Sequence, residues 1–533
     1  MKFTRRSLLI VAGAAASASY LFKRAVPKRL KVNHILPIVT DSAFAISVSV
    51  KRPVRTLDLQ VDGARVTGSK SDTHGRFWSF SVSSLMPDTT YSLRLIADGE
   101  PVDEAWPLKT FPPDDALPDS FRLLAFTCAG GPNGLRSGDL EIFKPHAFRQ
   151  QLFDAALESH PDAVLSIGDH IYWDLRGRGL PPFGTRRSGA FRFFAGLYLK
   201  NKYGEFNRSI ELLGTKNEKV LTNIADEQIA ELYGTRFRST PIFFVSDDHD
   251  YFENDDAEEE IVTFPPDRFS QAAHAAVAKL YYPPLPNAPS REFERSFGIL
   301  RYGTLFEAPL VDCAGHLDLE GEQAALVPQS IEAWMIGRAQ TSSAVHFAYV
   351  PSHPMGWTAG KWREWYPDVV APEGYSGVVT NALMGETQGV LSTNAQKYLW
   401  QPGWWTQHQR ILTALAERPR SRFTFSGDIH AQGAIQIQNC GDVDLSEMPV
   451  TSILVGPVST SQATWPSFAR GIEAATPESV NASILSATEE VNGYTLFDIA
   501  PTSVRATLVN CGGHDPCKQE TGAPINVREI DLI

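Results

Sequence analysis

The sequence has little cysteine, little positive charge and, past its first two dozen residues, no long apolar run. Five cysteines stand in 533 residues: Cys128, Cys313, Cys440, Cys511 and Cys517. An odd number cannot pair completely, so at least one thiol is left for other chemistry. Lys and Arg number 49 against 61 Asp and Glu, a formal net charge of −12. That balance excludes a general nucleic-acid binder, because phosphate backbones are held by clustered Lys and Arg. If the ligand is itself a phosphate, bound cations rather than bulk charge must attract it. No segment after Phe22 has the roughly 20 apolar residues that a helix needs to cross a bilayer.

What is there is ordinary for a soluble globular protein of two or three domains: 43% hydrophobic and 21% charged residues. Lys2, Arg5 and Arg6 precede an apolar, small-residue run from Leu8 to Ala18. Residues 1–30 therefore read as a targeting segment. Thr4-Arg5-Arg6-Ser7-Leu8-Leu9 resembles the twin-arginine export signal, and Ala16-Ser17-Ala18 offers a cleavage site. The expected partner is the twin-arginine machinery, and the expected location is the periplasm or the outside. Leu21-Phe22 lengthens the apolar run, so an uncleaved membrane anchor is the competing reading. That route carries folded proteins, which lets a cofactor be loaded before export.

Residues 32–113 show period-two alternation. Phe44, Ile46, Val48 and Val50 form one series, Leu57, Leu59 and Val61 a second, Trp78, Phe80 and Val82 a third, and Tyr91, Leu93 and Leu95 a fourth. This predicts a small β-sandwich. Leu85 to Tyr91 resembles the corner of fibronectin type III domains, where a Tyr hydroxyl bonds back to the backbone. No catalytic constellation falls in this stretch, so its expected role is packing.

The second domain, residues 120–510, opens with a strand from Phe121 to Phe126 ending at Thr127-Cys128. A helix from His146 to Ser159 and a strand from Ala163 to Ile167 complete a βαβ unit, which sets Cys128 beside Asp169 at one sheet edge. Residues 175–240 read as a helical, aromatic insertion and a candidate lid. Ile242 to Val245 runs into Asp247-Asp248-His249-Asp250, and Phe423 to Phe425 into Gly427-Asp428-Ile429-His430. Three strand ends thus present Asp where α/β sheets bind ligands. A further strand ends at Ser352-His353-Pro354; His353 either faces the site as a catalytic residue or is a backbone-bonded structural histidine. His346, inside that strand, reads as packed. Trp357 to Tyr366 reads as an aromatic loop. Ser452 to Val455, Tyr494 to Ile499 and Val504 to Val509 are expected in a second sheet layer, and residues 511–533 as a tail. Within 511–517, a Cys511–Cys517 disulfide or free thiols are favoured over a Cys/His metal site, since one His makes a poor ligand set.

The donor set has its own chemistry. Asp169, Asp248 and Asp428 are hard oxygen ligands, His430 adds nitrogen, Cys128 a thiolate and Tyr172 a phenolate. One ion rarely takes all of these, whereas two or three ions sharing Asp169 as a bridge would. Phenolate and thiolate favour ferric iron at their end; the oxygen-rich end suits calcium, magnesium, manganese or zinc. Clustered cations clamp phosphoryl oxygens and hold a hydroxide for attack. His249 is then placed to protonate the leaving oxygen.

Gly168-Asp169-His170-Ile171-Tyr172, Asp247-Asp248-His249-Asp250 with Asn254, and Gly427-Asp428-Ile429-His430 together resemble the alkaline phosphatase D family of calcineurin-like metallophosphoesterases. The resemblance runs from about Phe121 to Val458. It implies a two-sheet α/β/β/α sandwich, hydrolysis of phosphate mono- or diesters, and an iron-calcium site. Cys128, Asp169 and Tyr172 would hold iron, Asp248, Asp428 and His430 the remaining metals, and His249 would be the catalytic histidine. Two departures stand out. Asp250 replaces the family's Glu, and Asp312-Cys313-Ala314 lacks the Arg of an Asp-Thr-Arg segment. A non-catalytic metal-binding envelope protein is the alternative reading.

Overall fold

The computed structural model describes residues 30–533 apart from 138–139, 173–196, 199, 252–265, 319–320, 358–367, 371–373, 375, 382–384, 389, 393–401, 461–472, 478, 513–521 and 523. The N-terminal segment read as an export signal, residues 175–196 and 199 of the candidate lid, Asn254, the Trp-rich stretch past Trp357 and Cys517 lie outside the described residues.

The alternation in residues 32–113 folds as expected into two facing antiparallel sheets. One runs Val32–Val39, Phe44–Val50, Phe77–Val82, Ser69–Lys70; the other runs Ala64–Thr67, Leu57–Val61, Thr90–Ala97, with Glu100–Pro101 and Trp106–Lys109 both paired to Thr90–Ala97. The tyrosine corner forms too: the Tyr91 hydroxyl accepts from Met86 N at 2.7 Å. It is legible in advance because it depends on a few consecutive residues.

Two larger sheets follow. The first has the order Ile242–Val245, Ala163–Ile167, Phe121–Thr127, Gly493–Ala500, Ser503–Cys511, Pro524–Asp531. Its first three strands are parallel and the rest antiparallel. The second centres on Phe297–Tyr302, Phe306–Val311, His346–Pro351, Phe423–Ser426, Val450–Val455 and Gln432–Cys440. Alternation along each strand sorts the layers. Leu123, Leu165, Phe243 and Val245 face Ala348, Val350, Phe423 and Ile453 of the other sheet. Leu124, Val164 and Phe244 face the helices His146–Leu157, Lys216–Ala225 and Arg268–Tyr281. On the far side Phe347, Tyr349 and Leu454 face Gln329–Thr341 and Pro402–Ala416. The result is the α/β/β/α sandwich.

Two expectations are corrected. Gly493–Ala500 and Ser503–Cys511 belong to the first sheet, not the second. The crossovers carry successive parallel strands away on one side of Phe121–Thr127, which leaves its other edge open for antiparallel pairing. Residues 511–533 are no tail either: Pro524–Asp531 pairs with Ser503–Cys511 as the outer strand. Cys511 is a buried free thiol.

The small sandwich packs directly on this domain. Phe111 stacks on Phe243 with ring centroids 6.3 Å apart, and belongs to the same core as Phe423 and Phe497. His34 stacks on Tyr281 at 5.4 Å. Among the described residues no helix is long and apolar enough to cross a membrane.

Candidate metal centre

Five strand ends meet at one mouth between the sheets. Cys128 follows Phe121–Thr127, Asp169 follows Ala163–Ile167, Asp247 and Asp248 follow Ile242–Val245, His353 follows His346–Pro351, and Asp428 and His430 follow Phe423–Ser426. Within each sheet the strands that carry these ends run parallel, so the ends of each layer point the same way. Gly168 and Gly427 let the loops touch. A Cβ on Gly427 would sit 2.6 Å from the Ile167 carbonyl oxygen, and one on Gly168 would sit 2.6 Å from Asp247 Cβ. Cys128, Asp169, Asp428 and His430 all take left-handed backbone angles, with φ between 50° and 69°. Such angles cost about 1–3 kcal/mol each for a residue other than glycine, and they persist where the surroundings enforce them.

Three groups of donor atoms overlap there. Cys128, Asp169 and His430 form one, Asp169, Asp248 and His249 a second, and Asp247, His353 and Asp428 a third; within each group the donor atoms lie within 4.8 Å of one another. Asp169 belongs to two groups, as a bridging ligand must. Its Oδ2 lies 2.8 Å from the Tyr172 hydroxyl and 3.3 Å from Cys128 Sγ. His430 Nε2 is 4.0 Å from the same oxygen, and Thr460 Oγ1, at 2.6 Å from Nδ1, fixes the ring from behind.

The electrostatics call for cations. Asp169, Asp247, Asp248 and Asp428 are at most 1% exposed. Four buried carboxylates in so small a volume are unfavourable unless positive charge compensates them. Burial, with Asp428 and Asp248 nearby, lifts Asp247 to about 6 against the opposing pull of His353. Burial, then Asp169, pushes the Cys128 thiol and the Tyr172 phenol well above their ordinary values. A bound cation inverts that logic and deprotonates both. The residues fit such ions on a further ground. Neither carboxylate oxygen of Asp247 receives a well-directed hydrogen bond, although His353 Nδ1 is only 2.9 Å from Oδ1. A buried carboxylate in that state is the kind of donor a cation takes.

No protein-family profile and no curated protein matches the chain. Solved structures do. A structure of PhoD superposes with a TM-score of 0.58, over 94% of this chain and 88% of that one, at 12% identity. The fold is PhoD-like. A purple acid phosphatase, PPD1 from yellow lupin (Lupinus luteus) seeds, follows with a TM-score of 0.51, over 94% and 74%, at 10% identity. At these identities the likeness is one of fold, and the side chains must carry the rest.

Within the PhoD-like fold, all eight residues singled out from the sequence reach the mouth, but their grouping differs from the expected one. His430 joins Cys128 and Asp169, whereas Asp428 joins Asp247 and His353. His353 stands as a ligand candidate in the third group. From the sequence Asp248 is named and not its neighbour Asp247, which the structure places in the third group. The signal was the Asp-Asp pair itself: the chain turns into the short 3-10 helix Asp248–Tyr251 there, and the two carboxylates enter different groups. Asp250, in place of the family's Glu, braces the loops: its Oδ1 accepts from His170 N and Ile171 N at 2.9 and 3.2 Å, and Oδ2 from Asp247 N at 2.9 Å. His170 is structural, with Nε2 3.0 Å from the Val245 carbonyl. His346 is the packed histidine expected, held between Ser421 and Ala500. In the Asp312-Cys313-Ala314 segment, where Ala314 stands in place of the Arg, Asp312 caps its own turn through Ala314 N and Gly315 N.

Proposed function

We propose that the protein is a metal-dependent phosphoesterase that hydrolyses phosphate mono- or diesters. One observation carries the reading: three donor groups share a single mouth, two of them through Asp169, and His249 belongs to one of these two. Cations bound there would neutralise phosphoryl oxygens and activate a water for in-line attack. Cys128, Asp169, Tyr172 and His430 form the end suited to ferric iron. Asp247, His353 and Asp428 form an end suited to calcium, with zinc, manganese or magnesium as rivals.

His249 has a separate role. It is 6% exposed, more open than Asp169, Asp248, His353 and Asp428, and its ring lies 4.0 Å from that of Tyr172. A histidine at the open side of an ion cluster can hold a proton over the leaving oxygen, which typically contributes about 10²–10⁴-fold in rate. Export by the twin-arginine route and a periplasmic or secreted location belong to the same reading, from Arg5-Arg6 and the run behind them.

The test is hydrolysis of p-nitrophenyl phosphate and bis-p-nitrophenyl phosphate at alkaline pH, with elemental analysis of the same preparation and with Ca²⁺ added or chelated. Turnover that follows metal content supports the reading. A metal-replete protein inert toward both esters removes it.

A further inference from the structure

The helix Lys216–Ala225 does not end at Ala225; it widens into a π-helical turn, Asp226–Glu231. Such turns are rare, and they often mark functional sites because they displace side chains from the ordinary helical faces. Here three consecutive residues reach three different parts of the molecule. Asp226 takes Arg76 Nη2 at 2.6 Å, Asn33 Nδ2 at 3.4 Å and the Tyr281 hydroxyl at 2.8 Å. Arg76 and Asn33 belong to the small sandwich. Glu227 takes Lys202 Nζ at 2.6 Å and Asn133 N at 2.8 Å.

Gln228 points the other way, into the interior. It is wholly buried. Its Oε1 accepts from Gly131 N at 2.6 Å and from Tyr172 N at 2.7 Å, and its Nε2 donates to the Tyr172 carbonyl at 2.9 Å. One amide therefore ties together the two loops that carry Cys128 and Tyr172. Arg149 finishes the first of these loops. Buried under it, Arg149 donates through Nη1 to the carbonyls of Ala129, Gly130 and Gly131 at 2.9–3.0 Å, and through Nη2 to that of Pro132 at 3.2 Å.

We infer that Gln228 is the positioning residue of the thiolate-phenolate end of the metal centre, and that the sandwich sets its position through the Arg76–Asp226 pair. A primary amide suits this place because it offers an acceptor with two lone pairs and a donor on one flat group. A carboxylate would keep the two accepted bonds and turn an oxygen on the Tyr172 carbonyl. The second contact to the sandwich supports the same turn: Lys51 Nζ reaches Glu231 at 2.8 Å, and Ile35 N donates to Gly234 O at 3.0 Å. The small domain thus contributes no ligand, yet it holds the part that holds the ligands.

The inference rests on the metal reading for one readout and is independent of it for the other. The first is amide hydrogen exchange in chelator-stripped, full-length protein. Gly131 and Tyr172 amides should exchange about 10–100-fold faster in Gln228→Leu, the usual effect of losing a buried bond. Arg76→Leu should speed the same two amides by a smaller factor, with amides of Val450–Val455 unchanged as control. The second is titration with Co²⁺, whose thiolate charge-transfer band reports a cysteine ligand and is assigned to Cys128 by its loss in Cys128→Ser. Removing the support of a ligand commonly weakens binding about 10–100-fold. Gln228→Leu should weaken the thiolate-reporting event to that extent and leave Co²⁺ bound at Asp247, His353 and Asp428. Gln228→Glu, nearly isosteric, should recover part of the affinity. Unchanged exchange at Gly131 and Tyr172 would overturn the inference, as would equal weakening of both binding events. The exchange effect in Gln228→Leu, together with a wild-type protein that binds no Co²⁺, would instead remove the metal reading and keep Gln228 as the clamp of the two loops.

Discussion

Tyr172 and Asp169, three residues apart, meet again in space: the Tyr172 hydroxyl lies 2.8 Å from Asp169 Oδ2. The left-handed backbone of Asp169 makes the reversal possible. Phenol, thiol and carboxylate then converge on one oxygen, and a purified protein with ferric iron there should be coloured. Tyr172→Phe should lose or shift the visible charge-transfer band. A colourless, iron-free and fully active preparation would leave a zinc or calcium site instead.

The bridging role proposed for Asp169 separates it from His249. Asp169→Asn removes charge shared by two donor groups, so metal content and activity should fall together. His249→Ala should keep most of its metal and lose about 10²–10⁴-fold in rate. The loss should be larger on an alkyl phosphate than on p-nitrophenyl phosphate, whose leaving group needs little protonation. Equal losses on both, with metal gone, would make His249 a ligand of the second group.

Asp247 offers a cleaner division. Asp247→Asn and His353→Ala should each remove one ion and spare the one near Cys128. Metal stoichiometry before and after dialysis reads this directly. Loss of both ions in either variant would show that the groups do not load separately.

Buried His34 gives the fold a pH dependence unrelated to the ions. Burial, with Arg76 adding to it, lowers His34 from 6.5 to about 3. The unfolded chain then binds the extra proton between those values, so the stabilisation is full above about pH 6.5 and is lost as pH falls toward 3. Each tenfold difference in proton affinity between the folded and unfolded chain corresponds to ~1.36 kcal/mol. His34→Phe should flatten urea stability between pH 7 and 4. Its Ser49 partner is left unbonded at every pH, which lowers the whole curve without changing its slope. An unaltered slope would assign the titration elsewhere.

Deleting residues 32–113 takes away no candidate ligand but uncovers Phe243 and Tyr302, on which Phe111 packs. Soluble yield and melting temperature should fall sharply. A truncated protein that keeps its melting temperature would make the shared core dispensable.

Much of this was legible because it is local. The short apolar runs Ala163–Ile167 and Ile242–Val245, and an acidic residue past each, were enough to place the mouth. The tyrosine corner needs only Met86 to Tyr91. What depended on distant partners was harder to see. The layer of Gly493–Ala500 is decided by which edge of another strand stays open. Choosing between Asp247 and Asp248 requires the 3-10 turn that splits them. Gln228 looked like any polar residue in a helical insertion, since a π-turn is imposed by what its side chains grip.

Arg122 and Asp498 lie side by side, 2.6 Å apart, though 376 positions separate them in sequence. The strand that leads to Cys128 therefore keeps a bare edge throughout synthesis of nearly all of the domain. Contacts of such long range close slowly. During that interval the half-made sheet offers an unpaired edge to any other chain, so assembly favours a late closure over growth from one end. The ligand loops can come to rest only after that edge is sealed.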